Sequence, residues 1–253
     1  MTRYTFGDTD LAAERLRVLD AVFAPTTDSL LAELEVTPRS IADLGCGPGA
    51  TTARLATRFP DAAVVGLEAS ESFVAAARAA VPRAEILVAD VTQPLPRAPF
   101  DFVYARFLAA HLPDIAAALG TWADALAPGG MLVLEETESI TSTDPVFAAY
   151  ETLTRACVAT AGASVYAGPY LVPSLASAVT VELDRVLELD VTAGQAAAMF
   201  RRNLATWGDE AVAQGLLTEP DRVRLLDRLT ERESEHTRGL FTWTHRQVVA
   251  RRG

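Results

Sequence analysis

Residues 42–49 read Ala42-Asp43-Leu44-Gly45-Cys46-Gly47-Pro48-Gly49, and this stretch decides the fold. It ends a short apolar segment, Ser40 to Leu44, and then sets three glycines at alternate positions, Gly45, Gly47 and Gly49. A strand that runs into a glycine-rich turn and then a helix opens many nucleotide-binding α/β sheets. The spacing here is G-x-G-x-G with Pro48 inside, whereas the dinucleotide fingerprint is G-x-G-x-x-G. Asp43 stands two residues before the first glycine. A carboxylate at that place opposes a pyrophosphate at the helix N-terminus and favours a ligand with an ammonium group.

The flanking sequence alternates between two periods. Ala62 to Leu67, Glu85 to Ala89, Phe100 to Ala105 and Met131 to Glu135 read as strands. Between them, a helix runs through Arg54 to Phe59. A second is capped by Ser70, with Phe73, Ala77 and Val81 on one face. A third opens at Pro113-Asp114, with Ile115, Leu119, Trp122 and Leu126 in register. This rhythm predicts right-handed βαβ units, a Rossmann-like parallel sheet with helices on both faces, and a ligand site beyond the carboxyl ends of the strands.

Upstream, Ala12, Leu16, Leu19 and Phe23 mark a helix that Pro25 is expected to stop; Thr27 then caps another, carrying Leu30, Leu31 and Leu34. Downstream, Asp144-Pro145 opens a helix with Phe147, Tyr150, Thr154 and Cys157 on one face. Further helices are expected over Tyr170–Val179, Gly194–Thr206, Asp209–Gly215 and Glu219–Glu233, and strands over Val181–Val191 and Phe241–Val249. One domain over 1–253 follows: a helical cap (1–37), a ligand-binding core (38–138), cover helices with a sixth strand (144–235), and a last strand (237–253).

The 253 residues are 50% apolar and 22% charged, a globular composition. No apolar run is long enough to cross a membrane, and the first residues lack the apolar core of a signal peptide. Two cysteines far apart, Cys46 and Cys157, fit a reduced, cytoplasmic protein. The net charge of −11 argues against a nucleic-acid partner and for a small-molecule substrate. A homodimer is compatible with the sequence. No spacing of His, Cys, Asp and Glu points to a metal site.

Two more acids complete the ligand. Glu68 ends the second strand, where a carboxylate can accept both hydroxyls of a ribose. Asp90 ends the third, where it can accept an adenine amino group. NAD would use only the Glu68 contact. S-adenosylmethionine has an amino-acid tail, a sulfonium, a ribose and an adenine, with no phosphate, and it uses all three acids.

The segments "IADLGCGPGATT", "VVGLEAS", "ILVADVTQPLP", "FDFVYARFLAAHLPD" and "LAPGGMLVLEE" resemble, in order and spacing, the class I S-adenosylmethionine-dependent methyltransferases over about residues 40 to 136. The opening "YTFGDTDLAAERL" is similar to a small-molecule subgroup with an N-terminal helical cap. The resemblance implies a seven-stranded sheet with an antiparallel last strand. It implies that Asp43, Gly45, Gly47 and Gly49 hold the methionyl part, that Glu68 binds ribose with Ala69 against the adenine, and that Asp90 and the Val91 backbone bind the adenine edge. It also implies that Arg106 meets the cofactor carboxylate and that Tyr4 closes over the methionyl end.

Methyl transfer requires alignment and exclusion of water, and some acceptors also need a base. Of three histidines, His111 follows the fourth strand at the carboxyl edge and is the candidate base; Glu135, Glu136 and Glu138, at the expected end of the fifth strand, face the same crevice, with Glu135 taken as the candidate substrate contact. The expected activity is methyl transfer to oxygen, nitrogen or carbon of a small organic acceptor, in natural-product biosynthesis. The alternative is another reaction on the same cofactor fold, such as cyclisation or decarboxylation.

Overall fold

The computed structural model describes residues 10–160 and 162–253, with side chains from residue 14 onward. Tyr4 lies outside the described residues. Five strands follow the expected alternation: β1 (Ser40–Leu44), β2 (Ala63–Glu68), β3 (Glu85–Val88), β4 (Phe100–Arg106) and β5 (Leu126–Ser142). With β6 (Val179–Glu188) and β7 (Phe241–Arg252) they form, among the described residues, one seven-stranded sheet in the order β3-β2-β1-β4-β5-β7-β6. The pairs β1–β2, β2–β3, β1–β4 and β4–β5 are parallel, and β7 runs antiparallel to both β5 and β6. This is the expected Rossmann-like architecture with its antiparallel last strand. The strand order reverses between β1 and β4, the switch point where such sheets open a crevice.

The crossover helices are α2 (Ala50–Arg58), α3 (Glu71–Ala80) and α4 (Ile115–Asp124). Ser70 caps α3 by accepting the Phe73 N–H, and Asp114 caps α4 by accepting that of Ala117. Phe59, Val64, Phe102 and Val133 fill one face of the sheet; Leu44, Leu67, Val103 and Trp122 fill the other.

Four elements differ from the sequence expectation. Pro25 does not stop the first helix: α1 runs unbroken from Asp10 to Glu33. Two side-chain hydrogen bonds hold the helix backbone on either side of the proline. Thr26 Oγ1 donates to the Phe23 carbonyl at 2.8 Å, and the Gln247 amide on β7 donates to the Thr26 carbonyl at 3.1 Å. Thr27 therefore caps nothing and sits fully buried, accepting from Arg106 Nη1 at 3.1 Å.

The fifth strand does not end at Glu135. It continues to Ser142 because β7 pairs with it from Met131↔Arg251 to Ser142↔Phe241. The helix expected over 170–179 shrinks to α6 (Gly168–Leu171) and a 3-10 turn (Val172–Ser174), because β6 begins at Val179 to pair with Arg252. The two helices expected over 194–215 are one, α7 (Ala193–Ala213). Gly208 in its middle is a point of close approach: a Cβ there would lie 2.8 Å from Arg222 Cδ on α8 (Glu219–Arg232).

The helix α5 (Pro145–Thr160) starts as expected, with Asp144 Oδ1 accepting the Val146 N–H at 2.8 Å. With α1, α7 and α8 it encloses an aromatic core of Phe23, Phe147, Tyr150, Phe200, Trp207 and Trp243. Of these helices, α1 supplies residues to the cavity at the mouth of the sheet. Among the described residues no helix is long and apolar enough to cross a membrane.

Candidate active site

The glycine loop is shaped by its neighbours. Gly45 has φ +61°, a conformation that favours glycine, and Leu108 Cδ1 lies 2.8 Å from where a Cβ would stand. Gly49 has φ +95° and would meet the Ala77 backbone at 3.2 Å, which lets α2 and α3 approach. The Gly49 N–H donates to the Cys46 carbonyl at 3.0 Å, closing the turn.

Glu68, at the end of β2, reaches back into this loop. Its Oε2 accepts the Gly47 N–H and its Oε1 accepts the Ser70 N–H, both at 2.9 Å. Asp90 follows β3 and accepts from the Thr92 hydroxyl at 2.6 Å and the Thr92 N–H at 3.0 Å, bonds that hold its carboxyl below the usual range. The Val91 carbonyl is taken by Trp122 Nε1 at 2.9 Å, which anchors the segment after β3 to α4.

Glu68, Ala69, Asp90, Val91, Gly45, Gly47 and Arg106 all line one cavity of about 210 Å³ at the switch point. His111 lines it too, with Phe107 and Leu108 from the same turn and with Arg15, Leu16, Leu19 and Asp20 from α1. Arg106 donates to Asp20 Oδ1 at 2.6 Å, and Arg54 on α2 donates to Asp20 Oδ2 at 3.0 Å. The cap helix is thus clamped to the mouth of the sheet by one carboxylate between two guanidinium groups. Burial pushes the His111 ring down to about 3, and the nearby Arg15 charge adds to this. His111 is therefore a neutral imidazole near pH 7 and a weak proton acceptor.

Asp43 and Glu135 are placed differently from the expectation. Asp43 is buried behind the loop, off the cavity wall, and accepts from Thr52 Oγ1 at 2.6 Å. Burial raises its carboxyl to about 7, against the opposing effects of the Thr52 hydrogen bond and the Arg106 charge. Its contact with the loop runs through α2. Glu135 is fully buried at the middle of β5 and does not reach the cavity. Its carboxylate accepts from the Tyr104 hydroxyl, from Gln247 Nε2 at 2.8 Å and bonds His245 Nε2 at 2.9 Å. Burial opposes its charge, and His245, Arg106 and Tyr104 outweigh that and hold it at about 2. The strand extension built by β7 is the physical reason: what looked like a strand end is a strand centre.

The sequence reading missed Arg15 and Asp20. Both lie beside the helical face that Leu16 and Leu19 already marked, Arg15 just before Leu16 and Asp20 just after Leu19, so the face was legible but the polar positions next to it were not. Among the described residues, no group of three or more His, Cys, Asp or Glu side chains could hold a metal ion.

Residues 42–134 match the family described as a methyltransferase domain. Over 103 residues the chain is 42% identical to the trans-aconitate 2-methyltransferase of Methylobacterium radiotolerans, covering 41% of this chain and 40% of that protein. Among solved structures, mycolic acid cyclopropane synthase CmaA1, complexed with SAH and CTAB, is similar with a TM-score of 0.63 at 20% identity, over 99% of this chain and 96% of that one. The [4+2]-cyclase SpnF is similar with a TM-score of 0.57 at 18% identity, over 90% and 80% of the two chains. The structural likenesses are likenesses of fold. The matched segment, the sheet order and the cavity at the switch point make residues 42–134 similar to the cofactor-binding core of the class I S-adenosylmethionine-dependent methyltransferases. The chain spans between about two-fifths and half of the length of the curated relatives it matches.

Proposed function

We propose that this protein transfers a methyl group from S-adenosylmethionine to a small organic acid. The observation that carries the cofactor is the state of the glycine loop. The Gly47 N–H is held by Glu68, so an internal carboxylate stands where a pyrophosphate would need a donor. The cavity beyond presents acids at Asp20, Glu68 and Asp90 and guanidinium groups at Arg15 and Arg106. That set fits a ligand with hydroxyls, an ammonium and one carboxylate, and it opposes a polyphosphate.

When bound, S-adenosylmethionine supplies an electrophilic methyl carbon on sulfonium. Glu68 would hold the ribose hydroxyls, Asp90 and the Val91 amide the adenine edge with Ala69 beside it, and Gly45, Gly47, Arg106 and Asp20 the methionyl part. Asp43 and Gly49 would shape the loop from behind.

The acid acceptor is supported by Arg15, buried on the cavity wall with its charge acting on His111, and by the trans-aconitate that names the matched relatives. A carboxylate is already deprotonated at neutral pH and needs no base. The residues then have two tasks, alignment and exclusion of water, which suits a wall made of a neutral His111 and the apolar Phe107, Leu108 and Leu112. A carboxylate-bearing intermediate of natural-product biosynthesis fits the same wall. We place the reaction in the cytoplasm, on a free small molecule, a setting that the free, buried Cys46 and Cys157 support.

The test is an acceptor panel with methyl-labelled S-adenosylmethionine, starting from trans-aconitate and including amines and phenols without a carboxylate. S-adenosylhomocysteine should form with the acids, and Arg15→Leu should raise the acceptor KM at least tenfold while changing the cofactor KM less than threefold. Equal turnover of acceptors without a carboxylate would overturn the acid reading. Product formation without S-adenosylhomocysteine would favour a cyclisation or decarboxylation.

A further inference from the structure

The turn that leaves β4 carries much of the cavity wall, and its backbone is held in an uncommon shape. Phe107 has φ +55°, the left-handed region that non-glycine residues seldom occupy. Its N–H donates to the Glu135 carbonyl at 2.9 Å. The chain then enters a 3-10 turn, Ala109–His111. A left-handed residue followed by a tight turn brings successive N–H groups to one side, forming a concave nest for an anion or a carbonyl oxygen.

That nest is occupied from within the protein. Glu136 on β5 is 2% exposed, and its Oε1 accepts the Ala109 N–H at 2.7 Å. The N–H groups of Leu108 and Ala110 also bear on the same carboxyl. The other oxygen, Oε2, is buried with no hydrogen-bond partner. Burying half a carboxyl unpaired costs free energy of order 1–3 kcal/mol, so the side chain is an expensive way to fill a core position. The turn it seats presents Phe107, Leu108 and His111 to the cavity, and Leu108 is the side chain pressed against Gly45.

We propose that Glu136 is a positioning residue for methyl transfer: its carboxyl, seated in the N–H nest of residues 108–110, holds the wall made by Phe107, Leu108 and His111 against the cofactor loop. This rests on the methyl-transfer reading above. The side chain works by reach and by accepting hydrogen bonds, and not by exchanging a proton with substrate.

Two variants separate reach from acidity. Glu136→Gln keeps the length and the acceptor oxygen and loses the acid. Glu136→Asp keeps the acid and loses the reach. Steady-state kinetics should show Glu136→Gln within threefold of wild type in kcat, and Glu136→Asp at least tenfold lower. Amide hydrogen exchange at residues 108–110 should stay slow in Glu136→Gln and accelerate at least tenfold in Glu136→Asp. The reverse order, with Glu136→Asp active and Glu136→Gln impaired, would assign proton transfer instead and overturn the proposal. So would wild-type kcat in both variants. If the wild type itself gives no turnover, the methyl-transfer reading fails, and exchange at 108–110 together with calorimetry of S-adenosylhomocysteine binding still decides whether Glu136 holds the wall.

Discussion

The Glu68 carboxylate accepts the backbone N–H of Gly47 at 2.9 Å, joining the end of β2 to the loop that follows β1. The same carboxylate also accepts the Ser70 N–H at the start of α3. One side chain therefore fixes the loop, closes it to phosphate and presents an acid to the cavity. Glu68→Ala should weaken S-adenosylmethionine binding at least tenfold in calorimetry, because it removes a ligand acceptor and frees the loop together. Unchanged affinity in both Glu68→Ala and Asp43→Ala would sink the cofactor assignment.

Asp43 should leave a signature in the pH dependence of stability. Its folded value, about 7, lies above the unfolded 3.8, so between those values the native state holds a proton that the unfolded chain releases. Stability contributed by this group is greatest below pH 4 and is lost as pH rises toward 7. Asp43→Asn removes the titration. Thermal melts from pH 5 to pH 8 should show wild type losing stability with rising pH more steeply than Asp43→Asn. Parallel curves would show that Asp43 is charged throughout.

His111 is expected to act by shape and not as a base. Its ring is held at about 3, so turnover should show no acid limb assignable to a histidine between pH 5 and pH 8. His111→Ala should lower kcat more than it weakens cofactor binding. A limb near pH 6.5 that disappears in His111→Ala would restore the general-base role.

The buried set Tyr104, Glu135, His245 and Gln247 joins β4, β5 and β7, and Gln247 also holds the α1 backbone beside Pro25. Glu135→Leu would remove the buried acceptor of the Tyr104 hydroxyl and the partner of His245 Nε2, and take one of the two bonds of the Gln247 amide. It should destabilise the fold by about 3–5 kcal/mol in chemical denaturation, the cost of breaking a buried pair from one side. In protein that remains folded, cofactor affinity should stay within about threefold, because Glu135 does not touch the cavity. A tenfold loss of affinity with unchanged stability would put Glu135 back at the site.

Much of the sheet was legible because local rules and the tertiary fold agree there. Strand periods, the Ser70 and Asp114 caps and the glycine loop each point the same way, and the strand ends at Glu68 and Asp90 follow from them. The misreadings fall where a distant partner overrides a local signal. Pro25 ends a helix by itself, and Gln247 lies more than two hundred residues away in sequence. The two helices expected on either side of residues 207–208 are one, and at Gly208 in its middle α8 packs close.

The sequence by itself determined the βαβ order, the place of the glycine loop and the acids at the ends of β2 and β3. Those depend on residues that are neighbours in the chain, whose backbone preferences and side-chain periods act over a few positions. Only the tertiary structure decided which acids face the ligand. Asp43 is sealed behind the loop by α2, Glu135 is entombed by its pairing with β7, and Glu136 is turned to the β4 exit. Burial and pairing across the sheet set both the direction and the charge of a carboxyl, and neither is written in its immediate neighbours.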